Sequence, residues 1–272
     1  MGITIGTNNV TLDLNGFTAS GGITINTSNV IVENGIVSTI TNNGSSVRIE
    51  KVLATGTPNG FLINGSNISL LDCQAVNNNT TSTYGFNLNC SNVSLIGCQA
   101  VNVEYGFYTN TNCNYVSLIG CQTNATTNGF LIYGGNAICL EKCITHDGTV
   151  GFLISYQTSN IVFKECGAFN NGSVGFGIEA TTNELVIEKC IAVNSSSGFF
   201  TNASVSGVIR ECTASCNNYG FSEVFATGNS GAQYVANFSN AATPYTPTSG
   251  APFNPVSLSS SSPLYYWNNA KP

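Results

Sequence analysis

The chain has 272 residues, of which only 7% are charged, and its net charge is −6. A surface of this kind has no basic patch to draw nucleic acid or anionic lipid, so neither a nucleic-acid partner nor membrane insertion is expected. Eleven cysteines in a chain long enough to build its own core point to packing more than to a disulfide framework.

The opening GITIGTNNVTLDL alternates apolar and polar residues as a strand does. It has neither the basic start nor the long apolar run of a signal peptide or membrane span. From Phe61 onward a repeat emerges. Gly-Phe pairs recur at Phe61, Phe86, Phe107, Phe130, Phe152, Phe176, Phe199 and Phe221. Cysteines keep step at Cys73, Cys98, Cys121, Cys143, Cys166, Cys190 and Cys212, with spacings of 25, 23, 22, 23, 24 and 22. Five residues before each cysteine stands Ile, Val or Leu, with Gly207 as the exception. Three before it stands Leu, Ile or Phe, and two after it Ala or Thr. Earlier repeats keep the frame with Asn15, Gly35 and Val52 in the cysteine place.

Within each repeat, as in GFLISYQTSNIVFKEC, short alternating runs are punctuated by Asn, Ser, Thr and Gly, and no helical stripe occurs. Units of this size cannot bury an apolar face alone and must stack. The expected fold is all-β: a right-handed parallel β-helix (solenoid) of about eleven turns over 1–240, each repeat one coil roughly 4.8 Å above the last. Phe, Ile/Val, Leu, Cys and Ala columns fill the tube, the cysteine acting as a medium-sized plug. Cys90 and Cys113, each eight residues before a ladder cysteine, are the better candidates for a disulfide, although parallel in-register geometry suits one poorly. Asn9, Asn29, Asn67, Asn92 and Asn160 recur at one corner, where asparagine tolerates left-handed backbone.

The phrases GITIGTNNVTLDLNGF and GFLISYQTSNIVFKEC resemble the repeats of right-handed parallel β-helix proteins of the pectin-lyase-like superfamily, over roughly residues 1–240. That group holds polysaccharide lyases, glycoside hydrolases, phage tailspikes and adhesins, so the resemblance is specific for fold and weak for function. It implies that any enzyme site lies on the outer face of the Gly-Phe sheet, built from an acidic calcium cluster with a basic residue, or from two or three close aspartates.

Charge is scarce and its placement informative. Glu141-Lys142, Lys164-Glu165, Glu188-Lys189 and Arg210-Glu211 precede successive cysteines with alternating signs, a checkerboard that fixes register. Glu50-Lys51 repeats it earlier. The outward positions of the Gly-Phe sheet hold one carboxylate, Glu179, with Glu223 two coils on at roughly 10 Å, a strained separation even for an inverting glycosidase. The sole histidine, His146, beside Asp147 in THDGTVGF, makes a dyad conceivable and a solvated Asp-Gly turn the plainer reading. No zinc spacing, phosphate loop or nucleophile elbow occurs, so neither metal nor cofactor is expected.

The same outer sheet carries Tyr108, Leu131, Tyr133, Leu153 and Phe200, with Tyr84 and Tyr105 at its edge, among asparagines. An apolar strip of this kind needs a partner or cover. A neutral glycan, another copy of the chain or the chain's own tail would serve. The tail, 241–272, holds six of the seven prolines and the aromatics Tyr245, Phe253, Tyr265, Tyr266 and Trp267. It reads as an extended segment that caps the last strands. The expected function is a non-catalytic structural or attachment rod, placed outside the cell or on a cell or virion surface. The alternatives are a polysaccharide lyase or glycoside hydrolase with an atypical site, and a self-assembling filament subunit.

Overall fold

The computed structural model describes residues 2–77, 83–202, 205–215, 218–223, 231–235, 237–246, 255–257 and 265–267. Among them every regular segment is a β-strand. Each coil lays down three strands, one on each of three parallel faces. The Gly-Phe face starts at Ile3–Ile5, passes through Tyr84–Leu88 and Val150–Ile154 to Tyr219–Glu223, and gains Thr243–Thr246 as a further parallel strand. The second, leucine face runs from Val10–Asp13 through Ile68–Leu71 and Thr158–Lys164 to Gly231–Val235. A short third face, just after the cysteines, runs from Thr18–Ala19 through Gln74–Val76 and Ile191–Val193 to Asn237–Ser239. The result is a parallel β-solenoid of about ten full coils at roughly 4.8 Å each.

Like residues stack on like. All eight phenylalanines of the Gly-Phe pairs are paired in strict register from Phe61 to Phe221. Their rings lie 4.6–4.9 Å apart with planes within 7° of one another. The glycine before each phenylalanine has a packing cause. A Cβ on Gly85 would meet Ala100 Cβ and the Gly106 carbonyl, each at 2.7 Å, so the alanine column and the next coil's backbone fill the space.

The corners explain the asparagines. Asn9, Asn29, Asn67, Asn92 and Asn160 all have φ between 55° and 61°, the left-handed region in which asparagine is well tolerated. A second left-handed corner precedes the cysteine column, held by Lys142, Glu165, Lys189 and Glu211 at φ 54°. That conformation turns these charged side chains outward while the chain bends in to place the thiol. The first coil departs from the expected frame: Leu14, not Asn15, fills the plug position. Asn15 (φ 47°) and Gly16 (φ 81°) form a turn with no counterpart in the next coil, and Asn15 is exposed. Leu14 occupies the space above Gly35, where a Cβ would collide with it.

All seven ladder cysteines are buried free thiols, and so are Cys90 and Cys113. Those two stay unbridged, the Cys113 thiol donating to the Leu88 carbonyl at 2.9 Å. The ladder thiols do likewise. Cys166 Sγ donates to Leu140 O (3.4 Å) in the coil below and Lys164 O (3.5 Å) in its own. Burial, then hydrogen bonds with Cys166 and Cys212, holds the Cys190 thiol well above the ordinary value of 9.0. Burial and neighbouring Cys113 push Cys90 up to about 12. Unfolding restores ordinary thiols that ionise more readily. The stability these thiols lend is therefore present below the ordinary value and is lost as pH rises beyond it. Two outcomes are expected: a denaturation midpoint that falls above about pH 9, and iodoacetamide labelling at Cys139, which is half-exposed, while the ladder thiols label only after unfolding. Mass spectrometry of native and denatured samples reads the second.

Of the expected cap, the backbone strands Pro255–Ser257 and Tyr265–Trp267 are described, the second running antiparallel to Asn237–Ser239 and to the first; Phe253 and the aromatic side chains of the tail lie outside the described residues.

Candidate functional site

The outer surface of the Gly-Phe face divides along the rod. Over its first half a ladder of asparagine side chains climbs the edge. Asn43 Nδ2 donates to Asn26 Oδ1 (2.9 Å), Asn64 to Asn43 (2.9 Å), Asn89 to Asn64 (3.1 Å) and Asn110 to Asn89 (2.9 Å). Asn43, Asn64, Asn89 and Asn110 each spend one N–H on the coil below, leaving the other for solvent or ligand, and Asn110 Oδ1 accepts from the Thr111 N–H at 2.7 Å. Above Asn110 the same column continues as Tyr133, and the ladder passes into an aromatic strip.

In that strip Tyr84 stacks on Tyr105 (5.0 Å) and tilts against Tyr108 (5.2 Å). Tyr108 stacks on Tyr133 (6.1 Å), and Tyr133 on Tyr156 (5.3 Å). Three of these four contacts have planes within 29° of parallel, so the rings turn their faces to one another along the rod. Edges and hydroxyls are what they present outward. Burial, then neighbouring Glu104, raises the Tyr105 hydroxyl above its usual range, and burial with Tyr84 does the same for Tyr108. Both remain protonated donors at neutral pH.

This geometry changes the expected site in three respects. Tyr156, 48% exposed, extends the strip. It was hidden in the sequence because it follows the strand Val150–Ile154 and stands one residue past Ser155, which holds the place of Tyr133 in this coil. Leu131, expected among the exposed apolar residues, is only 8% exposed, in register between Tyr108 and Leu153. Leu153 and Phe200 are half-buried, and Leu153 leans over Gly177, where an added Cβ would stand 3.1 Å from its Cδ1.

The expected acids do not converge. Glu223 pairs in register with Thr201 and, through it, Ile178. Glu179 belongs to the next column, its backbone N–H bonded to Ile154 O. The two residues thus belong to different backbone columns two coils apart. His146 and Asp147 are divided as well. The imidazole stacks on Phe169 (5.3 Å, 21°). Asp147, at a left-handed corner with φ 60°, accepts from Asn124 Nδ2 and Asn170 Nδ2, each at 3.3 Å. Asn194 Nδ2 extends this second amide ladder to Asn170 (3.1 Å). The carboxylate is held by amides above and below, which is a corner's bonding and not that of a histidine orienter.

The charged residues form the checkerboard. Lys164 lies 3.9 Å from Glu141, Lys142 3.9 Å from Glu165, Arg210 3.1 Å from Glu188 and Lys189 3.9 Å from Glu211, all between neighbouring coils. Lys142 also pairs with Glu141 at 3.6 Å. The earlier Glu50 pairs with both Arg48 and Lys51. The Arg210 guanidinium draws the Glu188 carboxyl below its usual range.

Comparison with known proteins agrees with this architecture. Residues 110–243 match the family described as the right-handed β-helix region. Among solved structures, ORF18 of Geobacillus virus E2 is similar over 90% of this chain, with a TM-score of 0.50 and 16% identity. The present chain spans 54% of that phage chain. No curated protein matches in sequence. Stacked coils and family match together make the chain a parallel β-helix repeat protein.

Proposed function

We propose that the chain is a non-catalytic structural or attachment rod that meets its partner through the outer Gly-Phe face. The observation that carries this reading is the unbroken passage from the asparagine ladder, Asn26 to Asn110, into the tyrosine strip ending at Tyr156. A row of amides and phenol hydroxyls repeating every coil gives periodic, uncharged hydrogen-bonding groups. An extended neutral glycan lying along the rod, its hydroxyls repeating in turn, is the ligand such a row suits. Recognition then runs through hydroxyls and amides, because the stacked ring faces are occupied by one another. A cell or virion surface is the setting for which a stiff rod of this kind is suited, and the fold is one that a phage chain also adopts.

The test is a panel of neutral and acidic polysaccharides, scored both for binding and for release of reducing ends or unsaturated products. Binding to a neutral glycan without turnover is expected. Replacing Tyr108 and Tyr133 together by Ala should weaken it about tenfold or more, two lost hydrogen bonds at roughly 1 kcal/mol each. Product release abolished by Glu179→Gln would overturn the proposal in favour of an enzyme.

A further inference from the structure

On the outer surface of the leucine face, four successive coils carry three adjacent columns in register, and one more coil, Tyr219–Ser239, follows them. One is an apolar stripe of Cys139, Val162, Val186 and Val208, all half-buried. Beside it runs Glu141, Lys164, Glu188 and Arg210, with signs minus, plus, minus, plus. At the corner beyond stand Lys142, Glu165, Lys189 and Glu211, with the opposite order, each exposed. An alternating column with an even number of members has a symmetry property: read backwards, every sign is reversed. Two such columns laid face to face with the rods antiparallel match at every position.

From this complementarity we infer that the leucine face is a docking surface for a second copy of the chain. The rods are antiparallel about a two-fold axis that passes between Val162 and Val186. In this arrangement Val162 faces Val186 of the second copy and Cys139 faces Val208. Glu141 faces Arg210 and Lys164 faces Glu188, and the corner column obeys the same rule. The interface is isologous and closed, as a two-fold requires. Rotation about the rod axis does worse. It keeps each coil level with itself, so the charged column meets either its own like charges or the neutral column of Asn136 and Ser159. A parallel stagger of one coil matches signs but is heterologous and leaves ends unpaired. The apolar stripe supplies burial and the charges supply orientation, the usual division of labour at an interface. The rods overlap over about six coils, or roughly 30 Å. That places the contact at the small end of interfaces and predicts a dimer that forms at high concentration and weakens with salt. The inference is independent of the Gly-Phe face, so failure of glycan binding leaves it standing.

Cross-linking tests the geometry directly. In Val208→Cys the introduced thiol lies opposite Cys139 of the second copy. Within one chain the two positions are three coils apart, about 14 Å, beyond the reach of a disulfide. Mild oxidation should give a covalent dimer whose peptide map joins position 139 to position 208, whereas wild type gives none. Sedimentation velocity provides a second readout. Glu188→Lys should weaken association about tenfold, with circular dichroism unchanged. The double exchange Lys164→Glu with Glu188→Lys should restore it, because the reversed column is again complementary although the alternation along each rod is broken. A cross-link joining Cys139 to Cys139 in wild type, a monomer at every concentration, or a double exchange as weak as the single would overturn the inference.

Discussion

Replacing Phe130 by alanine is expected to lower stability by about 3–5 kcal/mol, among the largest losses any single core substitution here should cause. Phe130 is 1% exposed, and its ring lies 4.7 Å from Phe107 and 4.8 Å from Phe152. Removing it takes away the apolar burial and leaves a gap a whole ring wide. The coil spacing is fixed by the backbone hydrogen bonds of three faces, so the neighbours cannot close in, and the cavity contribution is near its maximum. Position sharpens the prediction. In a solenoid each coil contacts only the coils above and below, so stability is close to a sum of nearest-neighbour contributions. Phe130 weakens two interfaces. Phe221 too lies between coils, in register with Phe199 on one side and Tyr245 on the other, so its replacement by alanine should cost about as much. Phe130→Leu should retain much of the burial and lose under half as much as alanine. Urea denaturation of the three variants checks the order, and an alanine variant at Phe130 as stable as wild type would mean that the column is not a continuous core.

Much of this fold was legible in the sequence because the solenoid converts periodicity directly into contact. A residue every 23 or so positions touches its own kind, so Phe, Cys, Leu and Ala columns were readable as columns, and the register followed. The charge checkerboard was readable for the same reason, and its between-coil partners, Glu141 with Lys164 and Glu188 with Arg210, were those the spacing implied. Legibility failed where geometry departs from the period or resides in torsions. Leu14 takes the plug place because Asn15 and Gly16 add a turn that shifts the frame, and because Gly35 leaves space for it. The orientation of the tyrosines was invisible, since alternation shows which side of a strand a ring leaves from but not whether its face or edge meets solvent. The stacked planes of Tyr108, Tyr133 and Tyr156 follow from side-chain torsions that bring each ring onto the next. Glu179 and Glu223 were expected on one outer face, two coils or roughly 10 Å apart. The register separates them by one column, and one residue along a strand is the whole difference between the two faces of a sheet.

Gly151→Ala should be the second severe substitution, and it discriminates between two reasons for the repeated Gly-Phe. A glycine kept for backbone freedom would show a positive φ, and Gly151 has none. A Cβ built there would stand 2.6 Å from the Gly175 carbonyl oxygen, 3.0 Å from Ala168 Cβ and 3.1 Å from Asn171 Nδ2. The first of these is backbone of the next coil, tied into the Gly-Phe sheet, and cannot swing aside as a side chain would. Insertion of one methyl must therefore push neighbouring coils apart locally or tilt the strand. Overpacking of this kind typically costs about 1–3 kcal/mol, with the upper end expected where the obstruction is backbone. Gly175, with Ala192 Cβ and the Gly198 carbonyl each 2.8 Å from its built Cβ, should behave alike. Gly6 is the control: it too has no positive φ, and nothing lies within 4 Å of its built Cβ. Gly6→Ala should leave the midpoint within about 0.5 kcal/mol of wild type. If Gly151→Ala and Gly6→Ala gave the same midpoint, the coils would have to be free to separate at the Gly-Phe face, and the close approach of alanine column to glycine column could not be what selects glycine there.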